Sequence, residues 1–123
     1  VRFTDASTGI GAVLASRYVQ AKAADYTVAV TDSRSVFTNE GTTTKNNFSL
    51  PTAAANLVYT FVVQDTDGLT VTANTGDTIQ DNATVSGTAG TIDSTDVGAT
   101  VTLIAINATQ WVVTSMTGTW AIT

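Results

Sequence analysis

The stretch Leu57-Val58-Tyr59-Thr60-Phe61-Val62-Val63, followed after Gln64 by Asp65-Thr66-Asp67-Gly68 and then by Leu69-Thr70-Val71-Thr72-Ala73, decides the fold class. Its first run is short, apolar, and rich in β-branched and aromatic residues, which is the pattern of a buried strand. Its second run alternates apolar residues with Thr, the period of a half-buried strand. Between them, two Asp and a Gly supply turn chemistry, so the stretch predicts a hairpin.

The same grammar extends in both directions. Tyr26 to Thr31 and Ser35 to Thr38, joined through Thr31-Asp32-Ser33-Arg34, predict an earlier hairpin. Asn46 to Leu50 is a further strand ending at Pro51, the only proline, after which Thr52 to Asn56 has room for one helical turn. Downstream, Thr78 to Gln80, Thr91 to Ser94, Ala99 to Ile106, Gln110 to Ser115 and Thr119 to Ile122 read as strands separated by turn clusters. No internal repeat stands out. The expectation is an all-β domain over residues 26–123, an antiparallel β-sandwich or barrel-like fold.

Residues 1–25 break the strand pattern. Ile10, Val13, Leu14 and Tyr18 fall at helical offsets, while Gly9, Gly11 and many small residues loosen the segment, so a short helix and an extended arm both fit.

At 123 residues the chain has the size of one domain. It contains neither Cys nor His, which removes thiol chemistry, the commonest general base and the usual zinc ligands. Charged residues make up 12% of the chain, against about 25% in ordinary soluble domains. Polarity comes instead from 26 Thr residues, whose hydroxyls suit surfaces that meet other chains. All five basic residues precede residue 46, and the six acids beyond it have no basic counterpart. Such a chain repels phosphate, so nucleic acid is not an expected partner. No apolar run approaches the ~20 residues of a membrane-spanning helix, and no membrane partner is expected.

Only carboxylates remain for chemistry. Asp65 and Asp67 sit at the turn where Asp is favoured for bonding its own backbone, and further oxygen ligands with calcium-loop spacing are lacking. Gly9-Ile10-Gly11-Ala12-Val13-Leu14 ends in Leu where a dinucleotide loop requires Gly or Ala. Trp111 and Trp120 are expected to pack in the core or to cover one end of it. The minority alternative is a glycan-stacking platform involving Asp93, Asp96 or Asn107. No catalytic residue, metal or cofactor is expected.

The series Tyr26-Thr-Val-Ala-Val-Thr-Asp32-Ser, Val36-Phe-Thr-Asn39, Phe48-Ser-Leu-Pro51-Thr-Ala-Ala and Tyr59-Thr-Phe-Val-Val resembles tailed-phage structural proteins. It continues through Asp77-Thr-Ile, Gly98 to Ile106, Trp111-Val-Val-Thr-Ser and Gly118-Thr-Trp120, as in the small β-domains of head decoration proteins, head fibres and tail fibres. The resemblance spans residues 19–123 and carries over no catalytic residue. It implies a homotrimer on the outer surface of a virion. A fibre subunit would usually add a long shaft, so the chain's size favours a decoration (cement) protein that binds the major capsid protein. The alternative is a receptor- or glycan-binding module of a fibre.

On that reading, residues 1–25 are a docking arm. Arg2, Phe3, Ile10, Val13, Leu14, Arg17 and Tyr18 give it a mildly basic, apolar character that suits a capsid surface better than the acidic remainder does. The simpler alternative is that the segment is a first strand or helix of the domain.

Overall fold

The computed structural model describes residues 18–123. Their strands are β1 (Val19–Ala21), β2 (Tyr26–Thr27), β3 (Val36–Thr38), β4 (Asn46–Ser49), β5 (Val58–Val62) and β6 (Leu69–Thr72). They continue with β7 (Thr78–Asp81), β8 (Thr84–Val85), β9 (Thr91–Ser94), β10 (Thr100–Ala105), β11 (Gln110–Thr117) and β12 (Ala121–Ile122). One sheet has seven strands, ordered β1-β3-β5-β10-β11-β7-β8, and the other five, ordered β12-β9-β6-β4-β2. The architecture is the all-β sandwich expected from the sequence. A single 3₁₀ turn, Val30–Asp32, is the helical element among the described residues, and Thr52 to Asn56 forms a non-helical loop.

Strand pairing is mixed rather than wholly antiparallel. β1–β3, β3–β5, β2–β4, β4–β6 and β11–β7 run parallel. The chain alternates between sheets for its first six strands, so β1, β3 and β5 stack in one sheet while β2, β4 and β6 stack in the other. From β9 onward, antiparallel strands close the stack against β6 and β5. The register offsets of successive coils differ, from 17 residues (Val19 to Val36) to 24 (Val36 to Thr60). A structural repeat of uneven length leaves no sequence period to detect.

Both hairpins expected around Asp32 and Asp65–Gly68 are corrected by this path. β2 and β3 belong to different sheets, as do β5 and β6, so each turn is an arch crossing the core. β5 is hydrogen-bonded on one side by β3 and on the other by β10, leaving no ladder for β6. The arch is fastened from inside by the buried Asn39. Its carboxamide oxygen accepts the N–H groups of Gln64 (2.6 Å) and Asp65 (2.9 Å), and its amide donates to the carbonyls of Gly68 (2.9 Å) and Asp65 (3.3 Å). Gly68 has φ +81°, and a Cβ there would run into the Ser94 carbonyl and approach Thr95 Cγ2 to 2.8 Å. That turn therefore requires glycine. Consecutive strands do pair antiparallel at β10–β11, with a bulge between Thr102 and Leu103, and at β7–β8.

The core lies between the sheets. Phe37, Tyr59, Phe61, Val101, Leu103 and Trp111 point inward from one sheet, and Phe48, Leu69, Val71 and Ile92 from the other, all inaccessible to solvent. Phe37, Phe48 and Phe61 form a triangle with ring centroids 5.2–5.6 Å apart, and Trp111 packs 5.7 Å from Tyr59. Each such side chain contributes roughly 1.5–3 kcal/mol by leaving water.

β1 falls inside the segment expected to stand apart as an arm. The Val36 N–H donates to the Tyr18 carbonyl (2.6 Å) and the Lys22 N–H to the Thr38 carbonyl (2.9 Å), so residues 18–22 belong to the sheet.

Candidate assembly surface

Strand alternation that sends Phe37, Tyr59, Phe61, Leu103 and Trp111 inward turns their neighbours outward. On the seven-stranded sheet these neighbours line up in cross-strand rows. Val58, Ile104, Val112, Gln80 and Val85 form one. Val19, Val36, Thr60 and Thr102 form the next, and Thr38, Val62, Thr100 and Thr117 a third. None of these residues is Asp, Glu, Lys or Arg. The hydroxyls of Thr60 and Thr102 bond each other at 2.9 Å, as do those of Thr100 and Thr117, so they are satisfied within the face. The rows thus form an uncharged patch, mainly of β-branched side chains, with the half-exposed Val85 at one end and Ile106 near its rim, and with the exposed Arg34 beside it, its N–H donating to the Val58 carbonyl.

The outer face of the five-stranded sheet is chemically opposite. Its rows are Thr27, Ser49, Thr72 and Thr91, and Asn47, Thr70, Asp93 and Ala121. Thr72 donates to the Asn47 carboxamide oxygen (2.6 Å), Asn47 donates to Ser49 Oγ (3.0 Å), and Lys45 pairs with Asp93. No Val, Leu or Ile stands in those rows.

Most of the described carboxylates are engaged in the fold. Asp65 Oδ1 accepts the Asp67 N–H (2.9 Å), the turn role expected of that pair. Asp77, almost fully buried, accepts the Ala53 N–H (2.8 Å), Asp25 that of Asn47 (2.8 Å), and Asp96 that of Thr119 (3.1 Å). Asp32 closes the first coil by accepting from the Ala29 N–H (2.9 Å), the Tyr26 hydroxyl (2.7 Å) and the Gln20 amide (3.2 Å). Burial opposes its charge, yet those donors and the nearby Lys22 outweigh that and hold its carboxyl below the ordinary value. Tyr26, hydrogen-bonded to this carboxylate, is correspondingly raised, and burial, reinforced by the charge of Asp32, pushes Tyr59 up to about 12. Among the described residues no group of three or more acids is placed to hold a metal ion.

Trp111 is fully buried in the core, and Trp120 is half-buried against it with its indole N–H donating to the Thr117 carbonyl (2.9 Å). Of the polar partners weighed for a glycan platform, Asn107 caps the β10–β11 turn through the Thr109 N–H, Asp93 lies across from Ala121 and pairs with Lys45, and Asp96 accepts the Thr119 N–H beside Trp120.

Of the expected docking residues, Arg2, Phe3, Ile10, Val13, Leu14 and Arg17 lie outside the described residues. Tyr18 stands at the entry to β1 with 65% of its surface exposed. The uncharged face was not assembled from the sequence, although its signal was there: Leu57 to Val63 and Ala99 to Ile106 are apolar at many outward as well as inward positions. No protein-family model and no curated protein matches the chain.

Proposed function

We propose that this chain is a non-enzymatic structural protein of a tailed-phage particle, a decoration protein that binds the major capsid protein on the outside of the head as a trimer and stabilises it. The observation that carries this reading is the uncharged, β-branched outer face of the seven-stranded sheet in a chain of net charge −5. A subunit that acts by packing against protein surfaces needs such a face. The engagement of the carboxylates in turns and arches supports a structural role over a catalytic one, and the phage-like series from Tyr26 to Trp120 supports the virion.

Quantitative composition of purified particles tests this directly. Decoration requires hundreds of copies per head; absence from particles overturns the reading. A second reading, a module of a head or tail fibre, is favoured by the parallel stacks β1-β3-β5 and β2-β4-β6, which repeat along one direction as stacked coils do. It requires only a few copies per particle.

A further inference from the structure

We propose that the outer face of the seven-stranded sheet is the contact surface between subunits, covered in the trimer by a neighbouring copy of this chain. This rests on the reading of the protein as an assembling structural subunit and names the surface and the partner.

Central strands that are apolar on both faces belong to sheets covered on both faces. β5 carries Val58 and Val62 outward and β10 carries Ile104 outward beside Thr100 and Thr102, all partly exposed, whereas Tyr59, Phe61, Val101 and Leu103 inward are inaccessible to solvent. Charge selects the occupant. The described residues hold three basic and nine acidic side chains, so two copies repel through most orientations, and the uncharged sheet face is where their approach costs least. A basic partner would gain nothing from a face without acids.

Geometry favours the face over the edges. Among the described residues the edge strands, β1, β8, β12 and β2, are two or three residues long, a length that blunts strand-to-strand addition. The face, by contrast, spans seven strands at about 4.8 Å spacing and about five residues of depth, on the order of 500 Å². That is most of the roughly 800 Å² per partner that a standard stable interface buries, and Ile106 and Val85 extend it at the rim.

The test uses the full chain, with light scattering for mass and circular dichroism for fold. Ile104→Asp places a charge at the centre of the face, Thr70→Asp places the same charge on the opposite sheet, and Val112→Lys is the second disruption should Ile104→Asp fail to fold. The expected result is an oligomeric wild type at micromolar concentration, a folded single-copy mass for Ile104→Asp and Val112→Lys, and an unchanged oligomer for Thr70→Asp. Added salt should leave association intact or tighten it, because it screens repulsion between acidic copies. A wild type that stays a single copy, or an oligomer that survives both face substitutions, overturns the proposal. Particle composition is read separately: abundant copies on heads together with an oligomer insensitive to both substitutions would sink this surface and leave the decoration reading standing.

Discussion

The two outer faces of the sandwich share a backbone pattern and differ in everything attached to it. Both come from strands whose alternate side chains fill one core, and both are rich in Thr. On the five-stranded sheet, Asn47, Ser49, Thr72, Lys45 and Asp93 bond one another and remain at home in water. On the seven-stranded sheet, Val58, Val62, Ile104 and Val112 have no polar group to offer. Interior packing alone would have been served by either surface. On the proposed reading, the difference marks what each surface meets, solvent on one side and protein on the other.

The strongest perturbation removes what both faces share. Phe61→Ala, in the aromatic triangle between the sheets, should cost about 3–5 kcal/mol by chemical denaturation. A loss under about 1 kcal/mol would mean that the two sheets do not depend on a common core. Next is Asn39→Ala, which leaves the Gln64 to Gly68 arch, a surface turn held from beneath, without its buried clamp at a cost of roughly 1–3 kcal/mol for the groups left unpaired. Unchanged stability would place the cohesion of the arch elsewhere.

These two residues show what the sequence reveals and what it hides. The strands themselves, and the burial of Phe61, follow from composition and alternation. Their pairing does not, because Asp65-Thr66-Asp67-Gly68 is equally good chemistry for a hairpin and for an arch. The choice was made by Asn39, 26 residues before Asp65, and by the capture of β5 between β3 and β10. The bare face was hidden for the same reason. Its row from Val58 through Ile104 to Val112 joins strands far apart in the chain, and a residue cannot be assigned to a face until its sheet is known.

A smaller effect concerns acid. Asp32, tying Gln20, Tyr26 and Ala29 at the start of both sheets, has its carboxyl held below the ordinary value. An unfolded chain takes up that proton first as pH falls, so the stability supplied by Asp32 is complete above its unfolded pKa and lost as pH drops through its folded one. Asp32→Asn should therefore lower stability at neutral pH and flatten the decline below about pH 5 in thermal melts. An unaltered acid limb would contradict this. Smallest of all, Thr72→Val on the polar face should shift stability by no more than about 1 kcal/mol, since the hydroxyl it loses is half-solvated. A larger loss would show that face to be under tighter constraint than its chemistry suggests.

The absence of native Cys makes the central contrast directly measurable. Single substitutions Val112→Cys on the seven-stranded sheet and Thr70→Cys on the five-stranded sheet place one thiol on each outer face. Their rates of modification by a small thiol reagent can be compared in the assembled protein and after dilution to single copies. The account predicts strong protection of Val112→Cys that disappears on dilution, and free reaction of Thr70→Cys under both conditions. Equal reactivity of the two thiols in the assembled protein, or protection of Thr70→Cys instead, would contradict it.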